Sequence, residues 1–259
     1  RKRGSDMANI KIVTDSSVQL TPEEISQHNI TVVPLTIMID NTVYIDGETI
    51  TRDDFMDEMA AAQNLPKTSQ PAVGTFADVF DKLTADGSEV LAIHMTETIS
   101  GTVNSSRQAA QIAKGKVTVI DSQFTDRAMA FQVLVAAEMA EAGKDMKTIL
   151  DKLEQVRDNT TLDLGVTNLD NLVKGGRLSR VSGLISSFLN IKVILQLQNG
   201  ELKALRKGRG MKTINNFIAE TIAKMAKLSN IKSVGISTAG AKELGEDIGR
   251  RIAEVLPSV

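Results

Sequence analysis

The chain lacks cysteine and tryptophan, and it contains only one tyrosine and two histidines, His28 and His94. Without cysteine it can form no disulfide, no thiolate nucleophile and no Cys-containing zinc site. Aromatic residues make up 3% of the sequence, too few to build the stacking platforms that hold single-stranded nucleic acids. The sequence has 30 lysine and arginine residues and 32 aspartate and glutamate residues. It therefore has no excess of positive charge, and we expect no nucleic-acid partner.

Long apolar runs are also missing. The longest, residues 128–140, is interrupted by Gln132 and Glu138 and falls short of the roughly 18 apolar residues of a membrane span. We therefore expect a cytoplasmic protein with no integral membrane segment. A basic run followed by Gly-Ser precedes Met7, so residues 1–6 are interpreted as an appended extension and Met7 as the natural start.

The sequence does contain a regular alternation of β-type and helical patterns over residues 7–157. Apolar runs typical of buried strands occur at 10–13, 30–39, 90–93 and 117–120, with Pro34 at an edge or bulge of the second. Between them lie amphipathic stretches, among them Phe76, Val79, Phe80 and Leu83 at helical spacing. Residues 63–70 are expected to form a polar loop. This alternation predicts a Rossmann-like, three-layer α/β domain with a parallel sheet.

The regular alternation of strand and helix patterns ends after residue 157. Asn199-Gly200, between apolar runs at 191–197 and 202–205, is typical of a hairpin turn, and a further strand is expected at 233–236. At roughly 150 residues per domain, 259 residues also favour two units. We therefore predict a second, smaller two-layer α/β domain with a mixed sheet over residues 158–259.

Hydroxyl side chains follow several predicted strands, at the sheet edge where open α/β folds bind ligands. Ser100-Gly101 offers a hydroxyl and backbone N–H groups at a helix start, which suits a carboxylate or a phosphate. Thr68, in the predicted loop, could add a second hydroxyl. Two neutral donors without a lysine favour a carboxylate. Each hydroxyl, including that of Ser16, also fits the ordinary role of a helix cap.

Motifs of other chemistries are missing. The sequence has no Gly-x-Ser-x-Gly elbow, no Walker A motif, no Gly-x-Gly-x-x-Gly after a strand, and no EF-hand or zincin spacing. His94 lies in an apolar run, so it is expected in the core or lining a pocket. His28, near a helix end, is expected in solvent or at the helix C-terminal dipole.

Positive charge is concentrated in one stretch of the second predicted domain. This basic cluster is either a solvated hairpin face or a docking surface with phosphate contacts. Arg177, after Gly175-Gly176, is expected either to point into the cleft or to pair with a carboxylate of the other domain. The cluster consists of Lys203, Arg206, Lys207, Arg209 and Lys212.

Five short motifs occur in order along the chain. They are Val13-Thr14-Asp15-Ser16-Ser17, Lys67-Thr68-Ser69-Gln70-Pro71, Ile99-Ser100-Gly101-Thr102, Lys174-Gly175-Gly176-Arg177 and Leu189-Asn190-Ile191-Lys192. Together they resemble the motifs of the DegV family, the fatty-acid-binding proteins that act as B subunits of bacterial fatty acid kinase. The resemblance runs from about residue 10 to the end. It implies a Rossmann-like domain and a smaller α/β domain that together enclose one long-chain fatty acid.

The resemblance also implies roles for single residues. Thr68 and Ser100, with Gly101, would bind the fatty-acid carboxylate, and Arg209 with Lys207 would contact the ATP-binding kinase subunit. That partner would phosphorylate the acid to an acyl phosphate, so this chain is expected to be a carrier without catalytic residues or cofactor. Candidate cleft or tunnel residues are Ser16, His94, Ile99, Arg177 and Phe188, together with Ile93, Leu169, Leu184 and Ile185.

Two departures from the family pattern stand out. The family has a C-terminal strand with a histidine before a Gly-Pro-Gly turn, and this sequence stops at Val259, so we expect a truncated second domain and weaker head-group binding. Ala72 stands where the family has serine. One alternative function is a dihydroxyacetone-kinase-like component, in which His94 would hold a sugar carbonyl. A second alternative is a regulatory protein that binds its partner whether or not lipid is present.

Overall fold

The structure is a computed structural model that describes residues 9–184 and 190–259, and it confirms the predicted α/β class. Its strands are β1 (Ile10–Asp15), β2 (Thr31–Val33), β3 (Thr36–Ile39), β4 (Thr42–Ile45), β5 (Lys67–Ser69), β6 (Glu89–His94), β7 (Val117–Asp121), β8 (Leu162–Val166), β9 (Val181–Ser182), β10 (Lys192–Gln198) and β11 (Glu201–Gly208). Its helices are α1 (Pro22–Gln27), α2 (Arg52–Ala61), α3 (Val73–Thr84), α4 (Thr102–Ile112), α5 (Asp126–Glu141), α6 (Met146–Asp158), α7 (Asp170–Lys174), α8 (Lys212–Met225) and α9 (Lys242–Val255).

The first sheet is parallel, as predicted, with strand order β2-β1-β6-β7. Successive residues of β6 point to opposite faces, and both faces are covered. Leu91 and Ile93 pack in one cluster with residues of α5 and α6. Val90 and Ala92 pack in another with residues of α3 and α4. All four residues are fully buried, which explains the uninterrupted apolar run in the sequence.

Local sequence accounts for the start of α1 and for the hairpin turn predicted at Asn199-Gly200. The Thr21 side chain accepts a hydrogen bond from the Glu24 backbone and the Glu24 carboxylate accepts one from the Thr21 backbone, which forms a capping box at α1. Asn199 and Gly200 both have positive φ, 53° and 75°, as the hairpin turn between β10 and β11 requires.

The prediction of one strand over residues 30–39 is wrong. Pro34 and Leu35 separate β2, in the parallel sheet, from β3, which belongs to a second, antiparallel sheet ordered β4-β3-β5. Proline has no N–H to donate to a sheet ladder, so the chain changes sheet there. The predicted polar loop 63–70 is also corrected, because β5 places Thr68 opposite Ile37. Lys67–Ser69 carries no apolar residue that would indicate a strand.

The third sheet is mixed, as predicted. Its order is β8-β10-β11-β9, with β10 antiparallel to both neighbours and β11 parallel to β9. The predicted strand at 233–236 is wrong, because Val234 packs into an apolar cluster of α8 and α9 side chains instead of pairing in a ladder. The boundary between residues 157 and 158 stays a prediction. No helix in the described ranges is long and apolar enough to cross a bilayer.

Candidate functional site

A cavity of about 270 Å³ lies between the carboxyl edge of the parallel sheet and one face of the mixed sheet. Its polar lining residues are Thr68, Ser100, Thr125 and Arg177. The other nine of its thirteen lining residues are apolar, so the cavity suits a ligand that is mostly hydrocarbon. They are Leu35, Met95, Ile99, Leu162, Leu164, Leu172, Leu195, Leu197 and Leu202.

Five of these leucines come from the mixed sheet and form what we call the leucine face. Leu164 lies opposite Leu195 across β8 and β10, and Leu197 lies between Leu162 on β8 and Leu202 on β11. Side chains alternate across a sheet, so Gly165, next to Leu164, and Ile194, next to Leu195, face the opposite side. There a Cβ added to Gly165 would contact Ile214 of α8. One face of the sheet therefore packs on α8, and the other lines the cavity.

Ser100 and Gly101 occupy the end of the loop that joins β6 to α4. The Ser100 hydroxyl accepts a hydrogen bond from the Thr102 backbone at 3.2 Å and lies 2.9 Å from the Thr102 hydroxyl. A Cβ on Gly101 would approach the Gln70 side chain to 3.0 Å, so glycine lets β5 and α4 come close at this point. The positive end of the α4 dipole thus faces the same edge as the Ser100 hydroxyl.

Thr68 reaches the cavity from a different sheet. It is exposed, lies on β5 and lines the same cavity as Ser100, so the structure brings together the two hydroxyls that the sequence singled out. Their role as carboxylate donors stays a prediction. Backbone pairing with β3 holds Thr68 in place, which a mobile loop would not do.

Arg177 is the cationic side chain of the lining. Its Nε donates to the Ile99 carbonyl at 3.4 Å, and its Nη1 donates to the Gly175 carbonyl at 2.6 Å. Within residues 9–184 and 190–259 it forms no salt bridge with a carboxylate, so of its two expected arrangements the structure has the one in the cleft. A cation beside Ser100 adds to the attraction of the site for an anion.

Ser16 and His94 lie beneath the cavity and do not line it. The Ser16 hydroxyl accepts from the Leu35 backbone at 2.9 Å. His94 is fully buried, with Nδ1 3.0 Å from Asp15 Oδ2 and Nε2 2.8 Å from Ser106 Oγ. Both ring nitrogens are therefore engaged, and no nitrogen is available to a sugar carbonyl. This geometry argues against the dihydroxyacetone-kinase-like alternative.

The other predicted tunnel residues divide into three groups. Ile99 lines the cavity. Ile93 and Leu169 are buried in the core, and Leu184 is partly buried against the apolar cluster that contains Leu169. Ile185 and Phe188 lie outside the described residues. The leucine face was not predicted, although the alternation in Leu162-Asp163-Leu164 and in Leu195-Gln196-Leu197 is the period-two signal of a strand with one apolar face.

The basic cluster lies away from the cavity lining and is not uniform. Lys207 and Arg209 are exposed at the end of β11 and just beyond it. Arg206 instead pairs with Glu220 of α8 and places its guanidinium 5.2 Å from the centre of the Phe217 ring. Of the two arrangements expected for His28, the structure has the one at a helix C-terminus, because His28 is the C-cap residue of α1. Its side chain contacts Glu141 at 2.9 Å and is only 12% exposed.

These features define a class of protein: an α/β protein with a parallel, an antiparallel and a mixed sheet, and with an apolar cavity at the carboxyl edge of the parallel sheet. In the part of the chain that the structure describes, no group of His, Asp or Glu side chains could hold a metal ion. The family model described as "Uncharacterised protein, DegV family" matches residues 9–259. The chain belongs to the DegV family.

Relatives and solved structures agree with this assignment. A DegV domain-containing protein of Streptococcus pneumoniae serotype 4 is 48% identical over 246 residues, covering 93% of this chain and 88% of the relative. A stearic acid-binding protein from Eubacterium ventriosum has a TM-score of 0.83 at 28% identity, covering 97% of this chain and 88% of that one. DegV of Bacillus subtilis, a fatty acid binding protein, has a TM-score of 0.84 at 27% identity, covering 97% and 90%.

Proposed function

We propose that this protein is a cytoplasmic carrier of a long-chain fatty acid. The observation that carries the proposal is the lining of the cavity, where the leucine face stands opposite Ser100 and its neighbours at the start of α4. Solved structures similar to this chain are of a stearic acid-binding protein and a fatty acid binding protein. An acyl chain would lie on the leucine face, with its carboxylate at Thr68, Ser100 and Gly101.

The apolar and polar parts of the cavity would contribute differently to binding. Each buried methylene contributes roughly 0.8 kcal/mol, so the acyl chain supplies most of the affinity. Hydrogen bonds to a charged group contribute about 1.5–3 kcal/mol each, enough to orient the carboxylate. Thr68 and Ser100 would donate their hydroxyl hydrogens to the carboxylate oxygens, and Arg177 would add a positive charge nearby.

The proposal extends to a kinase partner that acts on the bound acid. A carboxylate oxygen would attack the terminal phosphorus of ATP on the partner, ADP would leave, and an acyl phosphate would result. This chain would orient the carboxylate and shield the acyl chain, without a catalytic residue or cofactor of its own. Exposed Lys207 and Arg209 would contact the partner, and the family resemblance together with their position outside the cavity supports this role.

The lipid-binding part is tested by mass spectrometry and by binding measurements. Denatured protein should release a long-chain fatty acid in nearly stoichiometric amount. Ser100→Ala and Thr68→Val should each weaken hexadecanoic acid binding by about tenfold, the value of one charge-assisted hydrogen bond, and leave hexadecanol binding unchanged. A protein that releases no lipid and binds neither compound would refute the proposal.

The kinase part needs a separate test with a purified ATP-binding partner. The double variant Lys207→Ala/Arg209→Ala should retain wild-type affinity for the acid and lose most of the partner-dependent acyl phosphate formation. Lys152→Ala, which removes an exposed lysine on α6, serves as the matched control and should leave the rate unchanged. If partner binding proves insensitive to both the variant and the lipid, the presentation role is wrong.

A further inference from the structure

The loop of residues 95–101 supplies several residues to the site, and its two flanks are tied together by one buried hydrogen bond. His94 is the last residue of β6, immediately before the loop, and Ser106 lies in α4 after it. His94 Nε2 and Ser106 Oγ are 2.8 Å apart, and both side chains are fully buried. The loop that carries Ile99 and Ser100 is therefore closed at its base.

Asp15, the last residue of β1, links this strand to the hydrogen bond between β6 and α4. Its Oδ2 lies 3.0 Å from His94 Nδ1 and accepts a hydrogen bond from the Met95 backbone, also at 3.0 Å. Its Oδ1 accepts from the backbone and the hydroxyl of Ser17 at 3.0 and 2.6 Å. One carboxylate thus holds the end of β6 and the first residue of the loop.

The ionisation of Asp15 determines which ring nitrogen of His94 donates to it. Burial raises the pKa of Asp15, but the hydrogen bonds from His94, Ser17 and Met95 outweigh burial and keep that pKa below its ordinary value. The ionised carboxylate only accepts, so His94 donates to it through Nδ1–H, and Nε2 is left to hydrogen-bond with the Ser106 hydroxyl. Packing of the ring edge-on to Phe76, at 5.1 Å between centroids, also restricts its orientation.

The order Asp, His, Ser is that of a hydrolase triad, but Ser106 has no exposed surface inside α4, so no substrate can reach it. We propose instead that Asp15, His94 and Ser106 are positioning residues for the head-group site. Ser106 lies one helical turn after Thr102, whose hydroxyl contacts that of Ser100. A shift of α4 along β6 would therefore displace the Ser100 hydroxyl and the backbone N–H groups at the helix start.

The inference rests on the proposed function for the identity of the ligand, and a ligand-independent measurement tests the positioning separately. In the protein without added ligand, amide hydrogen exchange should be faster in Ser106→Ala than in the wild type. The increase should be confined to residues 95–105. Unchanged exchange there would overturn the inference whether or not the protein binds a fatty acid.

Binding measurements then test the consequence for the carboxylate. Ser106→Ala should weaken hexadecanoic acid binding about threefold to tenfold, the range of one lost hydrogen bond, and change hexadecanol binding less than twofold. His94→Asn keeps a donor near Asp15 but does not reach Ser106, so it should match Ser106→Ala. The double variant should be no weaker than either single variant. Ser105→Ala, which alters a neighbour on α4 that is also buried, at 7% exposure, is the control.

The outcomes separate the two proposals. Equal losses for the acid and the alcohol, or an equal effect of Ser105→Ala, would overturn the positioning role and leave fatty-acid binding intact. Faster loop exchange in Ser106→Ala, in a protein that binds neither compound, would refute the proposed function and support the positioning role.

Discussion

Leu164 offers the sharpest test of the leucine face, because it lines the cavity and is nevertheless 50% exposed. A bound acyl chain would cover that exposed half. Leu164→Ala should therefore weaken binding of a long-chain acid while disturbing the folded protein little. The fully buried Leu195 beside it would not separate these two effects, because its truncation would also open a cavity in the core.

The expected magnitude follows from the exposed fraction. Complete burial of a leucine side chain contributes about 1.5–3 kcal/mol, so covering the exposed half of Leu164 contributes roughly 0.75–1.5 kcal/mol. Alanine retains the Cβ, which leaves a loss of about 1 kcal/mol, or about fivefold in the dissociation constant. Because the contact is with hydrocarbon, the loss should be equal for hexadecanoic acid and hexadecanol.

Isothermal titration calorimetry with both ligands measures this loss, and thermal unfolding checks that the fold is retained. Leu205→Ala is the matched control, because Leu205 lies in the same sheet, is 38% exposed and does not line the cavity. An unchanged affinity in Leu164→Ala, or an equal loss in Leu205→Ala, would show that the acyl chain does not lie on the leucine face.

Three further predictions concern stability. Both oxygens of the Glu24 carboxylate accept hydrogen bonds from Arg127, which lowers the pKa of Glu24 to about 2, so this stabilisation is complete above pH 4.5 and is lost as the pH falls to about 2. Glu24→Gln should therefore lower the melting temperature at pH 6 and have a much smaller effect at pH 2; a difference as large at pH 2 as at pH 6 would contradict the assignment. Thr98→Val removes the 2.6 Å hydrogen bond from the Thr98 hydroxyl to the Gly200 carbonyl and should cost about 1 kcal/mol in urea unfolding, whereas an unchanged midpoint would show that this bond contributes nothing. Gly200→Ala places a Cβ at φ 75° and should cost about 1–2 kcal/mol in the same assay; because the nearest side-chain atom would be 3.7 Å away, a larger loss would point to a different cause.

Much of the fold could be predicted from local sequence because the relevant signals are local. The run Val90 to Ile93 is apolar because β6 is covered on both faces, and Asn199-Gly200 adopts the positive φ values that a tight hairpin needs. Errors occurred where an element depends on distant partners. β5 has no apolar pattern of its own and exists because its backbone pairs with β3.

The polar end of the candidate site could be predicted from the sequence, but its apolar wall could not. The rule that ligands bind beyond the carboxyl ends of parallel strands directs attention to the hydroxyls after β6, and Ser100 does line the cavity. The opposite wall comes from β8, β10 and β11, whose leucines follow an alternating pattern with no indication of which face meets the first sheet. That choice is made by α8, which covers the other face.

The sequence does not specify which polar residues at this sheet edge line the cavity and which lie buried beneath it. Ser16, His94 and Ser100 all follow or end strands of one sheet, so their positions along the chain do not show which of them contacts a ligand. Leu35 and Met95 lie over the first two, since the Ser16 hydroxyl holds the Leu35 backbone and the carboxylate bound to His94 holds that of Met95. The polar residues beneath the cavity thus fix the backbone of the apolar residues that line it. A polar side chain at this sheet edge can therefore serve ligand binding without touching the ligand.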